Sequence, residues 1–155
     1  MQQRTKIVLK NTLEILESKL GKVINITMLA LKSRVSDKVF NRALIANLLH
    51  MQGIKSAEIA EIFNNQRSNV TFYLSYSQVD TTHGKHSKAF KTIQNRINEF
   101  NEILHDMKPY MPKLKLQSEL EYYKELHYDC LANIEDIKTK IQLDEYNETN
   151  YTMKL

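Results

Sequence analysis

A single cysteine, Cys130, rules out an internal disulfide and fits a reducing compartment, so a cytoplasmic location is expected. Only three glycines and two prolines interrupt 155 residues, and few segments alternate apolar with polar residues. That scarcity argues against a sheet protein and for an all-α chain. The opening MQQRTKIVLKN has no apolar run of the secretory kind, and no stretch approaches about 18 apolar residues, so neither a signal peptide nor a membrane span is expected. Also missing is a spaced nucleophile–base set. Five histidines, one cysteine and scattered carboxylates form no catalytic constellation, which points away from an enzyme and from any cofactor.

What is present is an uneven charge. Residues 1–108 carry 16 Lys/Arg against 9 Asp/Glu, a net +7, whereas residues 109–155 carry 6 against 9, a net −3. Positive charge on the first part is the footprint expected of a polyanion partner. The mildly acidic remainder suits a protein-contacting or solvated face.

The chain is organised around residues 39–77, VFNRALIANLLHMQGIKSAEIAEIFNNQRSNVTFYLSYS. A long apolar helix over about 37–51 ends at Gly53. A short helix starts at Ser56, with Ile59, Ala60, Ile62 and Phe63 on one side. A polar hinge, Asn64-Asn65-Gln66, leads to a third helix over about 67–77 with Val70 and Leu74 inward. Ser36 and Ser56 are suitable N-caps, and Asp37 and Glu58 place negative charge in first turns. Gly53 and the asparagines tolerate the left-handed backbone of tight turns. This spacing predicts a helix-turn-helix, whose last helix enters a DNA major groove. No acid occurs between Glu61 and Asp80; the intervening Asn, Gln, Arg, Ser, Thr and Tyr side chains bond to phosphates and base edges. The same pattern also fits a three-helix knot with no ligand.

Upstream, Leu9, Leu13, Leu16 and Leu20 mark an amphipathic helix over about 4–20, stopped by Gly21. VINITMLALKSR follows as a short extended piece, a Thr27 cap and one or two helical turns. The basic cluster Lys32, Arg34, Lys38 and Arg42 comes next, either as a solvated surface or as a phosphate clamp.

Residues 5–78 resemble the C-terminal duplex-binding domain of the DnaA replication initiators, within the Trp-repressor-like helix-turn-helix class. The resemblance rests on the leading amphipathic helix, on KVINITMLALKSR with its terminal basic run, on the spacing Arg34-x7-Arg42, and on KSAEIAEIF. That last segment keeps Ser56, Glu58, Ile59 and Phe63 of the family's S-L-P-E-I-G-x-x-F. The family's G-G-R-D-H-T-T-V is here Asn64-Asn65-Gln66-Arg67-Ser68-Asn69-Val70-Thr71. Asparagine substitutes for glycine at positive φ, so the turn is compatible, while the base-reading residues differ. The resemblance implies duplex contacts from Lys32, Arg34, Lys38, Arg42, Lys55, Ser56, Gln66, Arg67, Ser68, Asn69, Thr71 and Tyr73. Arg67 suits a guanine edge and Asn69 an adenine edge. The initiator's ATPase module has no counterpart: Gly84-Lys85 is preceded five residues earlier by Val79, so no P-loop is present.

After a loop at residues 80–84, a helix over about 86–107 carries Phe90, Ile93, Ile97, Phe100, Leu104 and Met107. Lys108-Pro109-Tyr110-Met111-Pro112 reads as a break. A second helix over about 114–143 repeats Leu116, Leu120, Tyr123, His127, Cys130, Ile134, Ile137 and Ile141 in strict four-three alternation, a coiled-coil seam. Residues 144–155 are polar and expected to fray. The chain thus divides into a helix-turn-helix domain (1–84), a helical hairpin or coiled-coil extension (85–143) and a flexible tail (144–155). Folded as a hairpin, helices of roughly 33 and 45 Å leave Ile137 and Ile141 uncovered. They are left for the first helix, a protein partner or a second subunit, with Leu120, Tyr123, Cys130, Ile134, Ile137 and Ile141 as oligomerisation residues.

His83-x-x-His86 and His127-x-x-Cys130 have ligand-like separations. A solvated loop accounts for the first pair, and a core histidine with a buried thiol for the second, so no metal is expected. The late tyrosines 122, 123, 128, 146 and 151 suit packing or a partner surface. Three functions are compatible with the chain: sequence-specific duplex binding as a regulator or a replication or mobile-element accessory of bacterial or phage type, a protein-interaction module that keeps the fold without the DNA role, and a nuclease or recombinase fragment, against which the lack of an acidic metal cluster counts.

Overall fold

The computed structural model describes the backbone of residues 1–31, 36–78 and 88–152, and the side chains of these apart from residues 36, 88–91 and 144–152. Every regular element among the described residues is helical, so the all-α class is as expected. The helices are α1 (Gln3–Leu20), α2 (Ile26–Ala30), α3 (Ser36–Met51), α4 (Ser56–Ile62), α5 (Arg67–Leu74), α6 (Lys88–Met107) and α7 (Met111–Thr152). Single 3-10 turns occupy Tyr76–Gln78 and Lys108–Tyr110. No helix among the described residues is long and apolar enough to cross a membrane.

The chain separates into two compact units, Met1–Ser118 and Glu119–Leu155. In the first, α3 is the centre. Ala43, Leu44, Ile45, Ala46, Leu48 and Leu49 are all fully buried, which wraps apolar surface around most of the helix. α1, α2, α4, α5 and α6 each pack on it. Burying each large side chain stabilises the fold by roughly 1.5–3 kcal/mol.

Helix ends follow the local chemistry. Gly21 takes φ 64° after α1. The Asn25 side chain, rather than Thr27, caps α2 by accepting from the Met28 amide at 3.0 Å. Ser56 is the first residue of α4 rather than its cap. α3 and α4 close in the same way. The Gly53 and Ile54 amides donate to the carbonyls of His50 (2.9 Å) and Leu49 (3.1 Å), and those of Asn64 and Asn65 to Glu61 (3.1 Å) and Ala60 (2.9 Å). These are Schellman closures, with the left-handed residue Gly53 (φ 85°) in one and Asn64 (φ 46°) in the other. Of the two hinge asparagines, only Asn64 takes the glycine-like conformation.

α6 belongs to the first unit, not to an extension beginning at residue 85. Ile97, Phe100, Ile103 and Met107 are buried, while Ile93, expected on the apolar stripe, is half-exposed. Phe100 meets Phe40 edge-on at 5.9 Å and Tyr76 at 5.0 Å. The Arg96 guanidinium lies 5.2 Å from the Phe40 ring centroid and contacts the Asp37 carboxylate. The expected break at 108–112 is one 3-10 turn, and α7 begins at Met111 with Pro112 in its first turn, where a missing amide costs nothing. Met111, Leu114 and Ser118 are buried, and the Asn11 amide donates to Ser118 Oγ at 3.0 Å. A buried polar relay runs beneath them: Gln52 donates to Thr12 Oγ1 at 2.7 Å, and Thr12 donates to the Val8 carbonyl at 2.6 Å. In the second unit the helix continues to Thr152, past residue 143 where the expected flexible tail begins.

Asn64→Gly is expected to leave stability unchanged or slightly raised, whereas Asn64→Val is expected to cost about 1–2 kcal/mol from the left-handed backbone. Urea unfolding followed by circular dichroism distinguishes the two, and an unperturbed Asn64→Val variant counts against a strained turn.

Candidate nucleic-acid interface

α3, α4 and α5 pack on one another, α5 lying against both α3 and α4. α5 turns Val70 and Tyr73 inward, at 0% and 5% exposure. Its opposite side, at i, i+1, i+4 and i+5, carries Arg67, Ser68, Thr71 and Phe72, all exposed, with Gln66 and Asn69 exposed beside them. Residues 62–78 contain one basic side chain, Arg67, and no acid. The strip is therefore rich in amide and hydroxyl hydrogen-bonding groups and low in charge.

Two of the expected contact residues turn out to be its scaffold. Arg42 is 3% exposed. Its Nε donates to the Leu29 carbonyl at 2.7 Å, one terminal nitrogen donates to the Leu31 carbonyl, and the other reaches the Tyr73 hydroxyl at 3.5 Å. A guanidinium so engaged ties the end of α2 to α3 and α5, and is not available to a phosphate. Tyr73 is likewise buried, and its hydroxyl also accepts from Asn65 Nδ2 at 2.9 Å. Asn65 in turn accepts from the Gln66 amide at 3.1 Å and from Asn69 Nδ2 at 2.5 Å. Asn47 Nδ2 donates to the Tyr73 carbonyl at 3.0 Å. α5 is thus held by side chains at its start and near its end. The bond from Asn69 uses one of its two amide hydrogens, which leaves the residue able to pair with a base edge.

Asn64, Asn65, Gln66, Asn69 and Phe72 line one concave surface, with Arg42 and Tyr73 at its floor. Lys38 is half-buried, Ser56 half-buried and Lys55 exposed; none of these three lines that surface. Lys32 and Arg34 lie outside the described residues, as do His83 and His86. Phe72, not among the expected contact residues, is 48% exposed beside them. The signal for it was legible: two residues from Val70 and one from Tyr73, it falls off the inward stripe.

Among the described residues, those expected to mediate oligomerisation form no closed core. Leu120, Tyr123, Cys130, Ile134, Ile137 and Ile141 are all exposed. His127 and Cys130 are therefore not the core histidine and buried thiol expected from the seam. Among the described residues, no group of three or more His, Cys, Asp or Glu side chains is placed to hold a metal ion. Compared with protein-family models, curated proteins and solved structures, the chain matches none.

Removing the Arg42 guanidinium strands at least one buried carbonyl, so Arg42→Ala is expected to cost about 1–3 kcal/mol of stability. Tyr73→Phe, which deletes only the hydroxyl shared by Arg42 and Asn65, is expected to cost about 0.5–1.5 kcal/mol. Urea denaturation measures both; an Arg42→Ala protein as stable as the parent would return Arg42 to the surface.

Proposed function

We propose that the chain binds double-stranded DNA with sequence preference, placing α5 in the major groove, as a regulator or as a replication or mobile-element accessory. The observation that carries this reading is the exposed strip of Gln66, Arg67, Ser68, Asn69, Thr71 and Phe72 on a helix anchored from below by Arg42, Tyr73 and Asn65. Acid-free polar side chains on an anchored helix are what base-edge readout requires, since a loosely held reader cannot discriminate between bases. The net +7 of residues 1–108 favours a polyanion over a neutral partner. The resemblance of residues 5–78 to the DnaA duplex-binding domain supports the same reading of the groove-facing helix. Phosphate contact then falls to Lys38, Lys55, Lys32 and Arg34, with Arg42 removed from that set. The proposed activity is non-catalytic and needs no cofactor.

A second reading, a protein-interaction module on the same fold, is favoured by one observation: α5 presents an exposed aromatic ring and a single cation. Fluorescence anisotropy with random-sequence duplex at two salt concentrations separates the readings. DNA binding gives a salt-dependent affinity, and a module with no DNA role gives none.

Arg67→Ala is expected to relax selection at one base pair and to cost on the order of 1–3 kcal/mol at the preferred site. Lys55→Ala is expected to weaken all duplexes alike and to flatten the dependence of log K on log salt. Selection from a random duplex library reads the first variant; an identical consensus for wild type and Arg67→Ala removes this residue from base readout. Incubation of labelled duplex with magnesium tests the absence of catalysis, and any cleavage would overturn it.

A further inference from the structure

Residues 119–143 of the second unit form a helix whose apolar side chains stand in solvent. Leu120, Tyr123, Ile134, Ile137 and Ile141 are each about half exposed or more. A lone helix gains little from its own hydrogen bonds and is maintained by burying an apolar face, so this stripe calls for a cover. Its period identifies the cover. Positions 120, 123, 127, 130, 134, 137 and 141 alternate three and four residues without a fault, a repeat of 3.5. A straight helix against a globular surface drifts off such a stripe by ~20° per heptad, whereas a second long helix supercoiled around it keeps the register. No other described helix of this chain has a comparable seam to spare. α6, the next longest, buries Ile97, Phe100, Ile103 and Met107 in the first unit.

The residues beside the seam select the same chain in parallel. With Leu120, His127, Ile134 and Ile141 at the a positions, the d positions are Tyr123, Cys130 and Ile137. Ile134 and Ile141 at a with Ile137 at d supply the apolar layers, and the one polar a residue, His127, is the kind of layer that specifies strand number and register. A parallel, in-register pair sets each g position against the e position five residues on in the other helix. Glu119 then meets Lys124 of the second copy, and Leu126 meets Leu131 of the second copy, so charge opposes charge and the two exposed leucines roof the central layers. Antiparallel pairing sets e against e and g against g. One register then brings Lys124 against Lys138 of the second copy; the next sets Glu119 against Lys140 but leaves Leu126 against Asn133 and Leu131 against Lys124, so that neither leucine is roofed by an apolar partner.

We propose that residues 119–141 bind a second copy of this chain as a parallel, in-register, two-stranded coiled coil. The polar His127 layer fixes the register at a cost in affinity, as polar a-position residues do. Each Cys130 faces Cys130 of the second copy. This pairing does not depend on whether the first unit binds DNA.

Sedimentation equilibrium on the full-length chain at micromolar concentration is expected to give a dimer; a monomer, a trimer or a tetramer overturns the proposal. Diamide is expected to join the copies through Cys130, the two thiols giving up their hydrogens to the diamide as the S–S bond forms. Cys130→Ser is expected to lose the covalent link and remain a dimer. A dimer that diamide leaves unlinked overturns the parallel register, because the antiparallel registers set Cys130 against Ile134 or His127. Ile137→Asp is expected to give a monomer whose first unit keeps its unfolding midpoint. His127→Ile is expected to tighten the dimer by about tenfold or more, since it turns a polar layer into an apolar one. An unchanged dissociation constant places His127 outside the interface and overturns the seam.

Discussion

Burying α3 on nearly every side is the requirement that orders the rest of the first unit. Six of the seven residues from Ala43 to Leu49 are fully buried, Asn47 being the exception. A helix with that pattern cannot lie at a surface. It has to be surrounded, and its neighbours need only one apolar stripe each. α5 shows the consequence. Val70 and Tyr73 turn into the core that α5 shares with α3 and α4, and the side carrying Arg67, Ser68, Thr71 and Phe72 is left to solvent or a ligand. The exposed strip is thus the outer side of a packing solution centred one helix away.

Buried polar groups then set geometry where apolar contacts alone leave it loose. Burying a guanidinium or an amide is unfavourable unless its hydrogens are used, so Arg42 and Gln52 tolerate few arrangements of the helices around them. Arg42 spans the end of α2, α3 and the Tyr73 hydroxyl of α5, while Gln52 joins α3 to Thr12 of α1. Asn65 extends the first network to the outside, from Tyr73 to Asn69 on the exposed strip. A change at Arg42 would therefore reach the strip through two hydrogen-bonded side chains, without Arg42 itself touching a ligand.

Helix order and most boundaries of the central stretch were legible because glycine, asparagine and the apolar stripes are local signals. Gly53 and Asn64 stop helices through backbone conformation, which the residue type itself governs. α7 starts at Met111, ahead of the expected start near 114, because proline within a first turn forfeits no hydrogen bond and so does not break the helix. Arg42 departs from expectation for a different reason. Residue type says charge, but position says core: Val39, Arg42, Ala46 and Leu49 lie on one helical stripe, and the stripe is buried at Ala46 and Leu49. Tyr73 repeats the lesson, three residues from Val70 on the inward side. Period outweighs polarity when a long side chain can reach a carbonyl.

The chemistry of the strip also constrains how strongly one copy can bind. Amides, hydroxyls and one guanidinium distinguish base edges, but affinity for duplex is dominated by phosphate neutralisation, and α5 supplies one cation. A single first unit reading DNA this way would be selective per contact and weak in total. Under the proposed function, phosphate contacts from Lys38 and Lys55 would add to it without adding information. Joining two readers changes the arithmetic, because the second binding event becomes intramolecular and draws on effective concentration instead of on new contacts. If both proposals hold, a seam that pairs two copies is the kind of device that a low-charge reader needs, and an acidic helix would supply it without competing for the phosphates.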